Sequence, residues 1–279
     1  MISQQADGLH FQLKAPHDFT WLNEIGRVFC VFDQLISGNI CFGADDGRRR
    51  YFIKYAGAQT LMYAGQKEAA VLRLQAAQPR YNELRHPALT RLVGSLETPE
   101  GHALVFEWFE GYALAPLELH LDRLLSLPLT ARLALFDSLM DFMVLASSKD
   151  YLAAGLSHHH ILVDFDKQRA LLSSVNHFMR FPAATPHPKL PGSSWFLPDE
   201  GYQVGKPLDE SATVYALGAL AFSFFNANKA KARQGWTAGQ PLYELASTAI
   251  RDKSEHRAQS AARFQAAWRE QVRQFPGLY

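Results

Sequence analysis

The stretch that decides the fold is AAGLSHHHILVDFD, residues 153–166. Three consecutive histidines, His158, His159 and His160, run into a short apolar segment that ends in an acid, Asp164. With ALLSSV at 170–175 it reads as a strand pair, Asp164 standing on the turn side. The histidines admit two readings. On a strand, His158 and His160 alternate onto one face and could meet His177 across the pair, and imidazole suits zinc, nickel or copper. Alternatively they fill the end of a loop that holds no ion. A metal site needs third and fourth ligands that the strand histidines lack nearby, so no metal is expected.

Working outward, the chain changes character at Gly111. Beyond it, amphipathic segments at 117–125, 129–147, 212–228, 243–250 and 261–275 predict helices, with a Pro-rich loop at 181–198. The longest apolar run, Val214 to Phe225, is too short to span a bilayer and reads as a buried helix. Before Gly111, RVFCVFD (27–33), NICFGA (39–44), RRRYFIKYAG (48–57), LTRLVGSLET (89–98) and HALVFEWF (102–109) read as strands. One helix is predicted over Gln66–Leu84, with Val71, Leu72 and Leu74 near its apolar face and Pro79 kinking or splitting it. Strands followed by helices imply an α+β protein in two lobes.

Composition excludes several function classes. The 279 residues carry a formal net charge of +1 and 48% apolar residues, ordinary for a globular chain, with no electrostatic case for nucleic acid or an anionic membrane. Arg48, Arg49 and Arg50 beside Gly47 read as a solvated hairpin tip. Cys30 and Cys41 are the two cysteines, which suits a reducing cytoplasm; they are expected on neighbouring strands but opposite faces. The N-terminal residues lack the pattern of a signal peptide.

Five segments, in order and at the right spacing, make the chain resemble the protein kinase superfamily from about Asp18 to Trp268. YFIKYAG resembles the strand bearing the nucleotide lysine and puts that role on Lys54. LRHPALTRLVGSLETPEGHALVFEWFEG resembles the strands leading to the interlobe hinge, with Phe106 as gatekeeper and Glu107, Trp108 and Phe109 along the adenine edge. ILVDFDKQRALLSSVNHF resembles the strand pair carrying the metal-binding end of the active site. WFLPDEGYQVGKPLDESATVYALGALAFSFF resembles the end of the activation segment and the central helix, and SEHRAQSAARFQAAW the closing helices. The resemblance implies an ion pair between Glu200 and Arg257. It implies a bilobal kinase-like fold: 1–17 an N-terminal extension, 18–107 a small antiparallel sheet with one main helix, 108–112 the hinge, and 113–279 a larger, mostly helical lobe.

The same alignment shows what the catalytic positions hold. The family's His-Arg-Asp-Leu-Lys-Pro-Glu-Asn octet falls on residues 153–160, so the base position is Gly155, the lysine position Ser157 and the magnesium-ligating asparagine position His160. The second metal ligand falls within Ser173-Ser174-Val175-Asn176, where there is no carboxylate. In the glycine-rich loop Gly38 would be the last glycine and Ile40 the branched residue after it, with Asp33 and Leu35 at the earlier glycine positions. Asp33 there would repel phosphates. The acid that pairs with the lysine is either Glu68 or absent, since counting back from His86-Pro87 lands near Ala77. The helix aspartate that braces the catalytic loop becomes Thr213.

A positioned base supplies about 10²–10⁴-fold, and phosphoryl transfer depends still more on magnesium. Losing base and metal ligands together implies a pseudokinase of the bacterial Ser/Thr kinase type: cytoplasmic, acting through another protein, with no cofactor expected and ATP held, if at all, without productive magnesium. The competing reading is a weak or atypical ATP-dependent phosphotransferase using Lys54. Thr185 and Ser193-Ser194 are conceivable phosphosites in the Pro-rich loop.

Overall fold

Short β-rich segments, the central ones buried nearly throughout, build a five-stranded antiparallel sheet, ordered β3-β4-β5-β7-β6, from β3 (Arg27–Phe32), β4 (Asn39–Asp45), β5 (Arg50–Ala56), β6 (Leu92–Thr98) and β7 (Gly101–Glu107). The computed structural model describes residues 1–115, 117–186 and 191–274, with backbone alone for 117–119. The predicted segments beyond these limits, 187–190 of the Pro-rich loop and Phe275, lie outside the described residues. The chain is α+β, with small antiparallel sheets and six helices among the described residues. It divides into two units, 1–85 with 90–110, and 86–89 with 111–279.

In the first unit both faces of the sheet are covered. The residues set aside as an extension form a hairpin, β1 (Ile2–Ala6) and β2 (Leu9–Leu13), followed by a 3₁₀ turn at Thr20–Glu24. Phe11, Leu13 and Leu22 join Val28, Ile40, Phe42, Ile53, Tyr55 and Ala103 in one buried cluster. The other face receives α1 (Lys67–Glu83) through Ala70, Leu74, Ala77 and Tyr81. That stripe corrects the predicted one, for Leu72 is exposed. Pro79 does not split the helix, which runs on to Glu83 with Ala77 and Tyr81 buried on either side of the proline. Packing outweighs the backbone hydrogen bond that proline cannot donate. At the hairpin tip Arg48 and Arg49 are exposed, their N–H groups donated to Asp46 Oδ1, whereas Arg50 bridges Asp45 and Glu110.

His17 fastens the hairpin to the sheet. It is buried, its Nε2 lies 2.6 Å from Tyr55 Oη, and Tyr55 Oη lies 3.0 Å from Thr98 Oγ1. Burial lowers its pKa, with Glu100 opposing and Lys67 reinforcing. Below about pH 6.5, the unperturbed value, the unfolded chain therefore binds more protons, and this contribution to stability is lost as pH falls. The expected result is a lower melting temperature at pH 5 than at pH 7.5 and a smaller drop in His17→Gln. The drop that persists in the variant belongs partly to His86, whose pKa burial also lowers. An equal drop in both proteins would show that His17 is not the proton-sensitive group.

The second unit contains β8 (Tyr112–Ala113), α2 (Leu117–Ser126), α3 (Leu129–Ser148), β9 (Tyr151–Leu152), β10 (Ile161–Asp164), β11 (Arg169–Leu172), β12 (Met179–Arg180), β13 (Ala183–Ala184), β14 (Pro207–Leu208), α4 (Ser211–Phe225), α5 (Gln240–Ala249) and α6 (Ala261–Arg273). The apolar α4 is buried along nearly its whole length and packs against α3, α5 and α6. The expected strand pair is present as β10 and β11, and Asp164 Oδ1 caps its turn by accepting the N–H groups of Asp166 and Lys167. No helix among the described residues is long and apolar enough to cross a membrane.

Candidate functional site

Strand register decides which candidates share a face in the first unit. Lys54 stands opposite Cys41 on β4 and Leu104 on β7, and Phe52 opposite Gly43 and Phe106. Paired residues point the same way, so Lys54, Cys41, Gly43, Phe52 and Phe106 lie on the α1 side. Ile40 pairs with Tyr55 and is buried among Phe11, Leu13 and Phe42 on the opposite face. Ile40, a nucleotide-binding candidate, thus lies on the face away from Lys54, and Cys41 is the β4 residue opposite the lysine. The cysteines also differ from expectation. Cys30 pairs with Gly43 and Cys41 with Phe32, which puts both on one face as diagonal neighbours, because a bulge between Val28 and Cys30 shifts the alternation of β3. Burial pushes the Cys41 thiol up to about 12, against the pull of Lys54.

Lys54 is only 6% exposed. Its ammonium donates to Tyr81 Oη at 3.1 Å and lies 5.2, 5.6 and 6.0 Å from the ring centroids of Phe106, Tyr81 and Phe52. Glu68 is exposed in the first turn of α1, so the side chain of α1 that meets the lysine here is a phenol near the helix's other end. Tyr81 is not legible as a partner in the sequence, since two of the four buried residues of the α1 stripe are alanines and the stripe carries little apolar contrast. Phe106, expected as gatekeeper, is fully buried and packs edge-on against Tyr81 at 4.8 Å.

Aromatic side chains fill the rest of this face. A Cβ placed on Gly43 would lie 2.7 Å from Phe29 and 2.5 Å from Cys30 Sγ, so both lie directly over the glycine. Trp108 stands edge-on to Phe29 at 4.8 Å and 6.3 Å from Phe52. The backbone N–H of Trp108 is donated to Arg50 O, and the Glu107 carboxylate is paired with Arg91 at 2.8 Å. Gly38 adopts φ +78°, where its missing Cβ makes room for Tyr63 and Ala70. The turn it occupies is tied to α1 by Arg73, which donates to Ser37 O and stacks on Tyr63. Asp33 accepts the Gln12 N–H at 2.8 Å and so serves the hairpin.

In the second unit, His158–His160 form a 3₁₀ turn, and β10 begins only at Ile161. The reading in which His158 and His160 alternate along a strand is thereby corrected. His158 Nε2 lies 2.9 Å from Ser223 Oγ, with Phe196 and Trp195 at 5.0 and 5.7 Å. His160 Nδ1 donates to Gly155 O at 3.1 Å. His177 packs its Cβ against Gly155. Among the described residues no group of three His, Cys, Asp or Glu side chains could hold a metal ion.

Gly155 is buried with φ +79°, and a Cβ there would lie 2.4 Å from His177 Cβ. The neighbouring segment closes over it: Gly155 donates its N–H to Pro191 O at 3.0 Å and Ser193 donates to Leu156 O at 2.9 Å. The loop is braced from below, where Ala153 N–H is donated to Thr213 Oγ1 at 3.2 Å. Ser174 is buried, its Oγ accepting the Asn176 N–H at 3.4 Å. Thr185 is also buried and donates to Glu200 O, which removes it as a phosphosite, whereas Ser194 is exposed. Arg257 and Glu200 form a bidentate pair, side chains 0% and 9% exposed. No family model matches the chain, and no curated protein matches it.

Proposed function

We propose that this chain is a pseudokinase, a bilobal protein-kinase-like protein that works by binding another protein and not by transferring phosphate. The observation that carries the reading is Gly155. At the position the resemblance gives to the catalytic base stands a residue whose conformation and neighbours leave no room for a side chain. The Pro191–Ser193 segment hydrogen-bonds to that same loop, which argues against an open substrate surface. The order of elements supports the kinase-like fold: a five-stranded sheet with one helix, then a helical unit holding the β10–β11 pair and the Glu200–Arg257 bridge. Two free thiols suit a cytoplasmic protein.

Buried Lys54 favours a second reading, residual nucleotide binding with weak phosphotransfer. The two separate experimentally. With radiolabelled Mg-ATP, neither the protein nor generic substrates should gain label above a Lys54→Ala control; label lost in that variant would establish the second reading. With Phe29, Phe52 and Trp108 on the lysine's face, ATP with or without magnesium should leave the melting temperature unchanged. Saturation at a hundredfold excess over Kd would instead add about 2.7 kcal/mol.

A further inference from the structure

Asn226, fully buried at the end of α4, organises the loop that follows. Its Oδ1 accepts the N–H groups of Asn228 and Ala230, and its Nδ2 donates to the carbonyls of Ala232 and Gln234. One amide thus holds the backbone on both sides of Lys231. The lysine turns inward between two rings: its Nζ donates to Tyr215 Oη at 2.9 Å, 4.7 Å from that ring's centroid and 5.2 Å from the centroid of Trp195. Trp195 is fixed in turn by its Nε1, which donates to Ala219 O. The ionisable groups acting on Tyr215 are Arg257, Asp199, Asp252 and Tyr202. Among the described residues no carboxylate forms a salt bridge with Lys231, and burial brings its ammonium down to about 8. The side chain nevertheless remains partly exposed.

We propose that Lys231 is an acyl-acceptor site for small acyl thioesters, and that its acylation loosens the 191–197 segment. The neutral Nζ attacks the thioester carbonyl carbon, the C–S bond breaks, an amide C–N bond forms, and the amine's proton leaves with the thiol. A thiolate is the fitting leaving group, since its conjugate acid is of similar strength to this amine. The amide carries no charge, so both cation–π contacts end. Trp195 then loses its contact with the Lys231 cation and keeps the Nε1 bond to Ala219 O and the His158 ring contact. The backbone N–H of Trp195 is donated to Ser193 Oγ, and the backbone N–H of Ser193 to Leu156 O, so the change passes toward the Gly155 loop. This inference stands whether or not the chain binds nucleotide.

The full chain is incubated with S-acetyl-N-acetylcysteamine and acetylation followed site by site by mass spectrometry. At pH 7.5 about a quarter of an amine with pKa near 8 is neutral, against about one in a thousand for a solvated lysine. Burial and lower nucleophilicity offset part of that gain. Lys231 should therefore react about tenfold faster than exposed Lys206 and Lys253. Its rate should level off above pH 8 to 9 while theirs keep rising. Hydrogen exchange at 191–197 should accelerate after labelling, and Lys231→Arg treated in the same way should show no such change. Acetylation no faster than at Lys206 and Lys253, or a rate still climbing beyond pH 9, overturns the acceptor site. Labelling of Lys231 with unchanged exchange at 191–197 overturns its coupling to the loop.

Discussion

Arg257→Ala should lower the melting temperature by about ten degrees, the larger of the two stability effects expected here. The guanidinium is fully buried and every edge of it is used. Nη1 and Nη2 meet the two Glu200 oxygens, Nε donates to Arg251 O at 2.7 Å, Nη2 to Asp252 O at 2.8 Å and Nη1 to Ser211 O at 3.4 Å. Truncation strands a buried carboxylate and three carbonyl groups together. Breaking a buried pair by removing one partner costs about 3–5 kcal/mol, and a unit of this size loses about 2–4 °C per kcal/mol. The mechanism also makes a contrast. Replacing both partners together, Glu200→Leu with Arg257→Met, leaves no orphaned charge and should cost less than the sum of the two single variants. Thermal melts by circular dichroism decide both points, and a loss of only a degree or two in Arg257→Ala would mean that the pair is open to water in solution.

What could be read from the sequence depended on whether a signal was periodic. The Val214–Phe225 run, the β10–β11 pair and the strands of the first sheet all announce themselves by apolar spacing, and they occur within a few residues of where that spacing puts them. The failures share a cause. Three identical polar residues at 158–160 have no period, so nothing distinguished a 3₁₀ turn from a strand end. One bulge in β3 reverses the expected relation of Cys30 to Cys41. Side-chain partners were harder still. Lys54 donates to the phenol of Tyr81, and Lys231 lies in a bracket formed by three segments far apart in the chain. Glu200 with Arg257 is the exception, because that pair was implied by a whole-chain resemblance and not by local pattern.

Gly155→Asp should fail to create a catalyst and should destabilise the protein by about 3 kcal/mol. Two costs add. Gly155 sits at φ +79°, where a residue with a side chain pays about 1–2 kcal/mol, although aspartate tolerates the region better than most. The greater cost is steric and electrostatic. The new Cβ would lie 2.4 Å from His177 Cβ, an atom fixed to the backbone, so the loop itself must move. The carboxylate would also be held against the half-buried His177 ring, whose Cγ and Cδ2 would lie 3.0 and 3.1 Å from the new Cβ, where it is partly desolvated. Gly155→Ala shares the strain and the clash without the charge, and should cost about 2 kcal/mol. The difference between the two variants measures the desolvation of the carboxylate. Movement of the loop to relieve the clash would break the bonds from Gly155 to Pro191 and from Ser193 to Leu156, so hydrogen exchange at those two amides should rise in both variants. A Gly155→Asp protein that melts within a degree or two of the parent, or that gains Lys54-dependent phosphate incorporation, would show that the loop is free to adopt a catalytic shape. The packing around Gly155 argues for the opposite outcome, since neither its φ nor the space beside His177 admits a side chain without movement of the backbone.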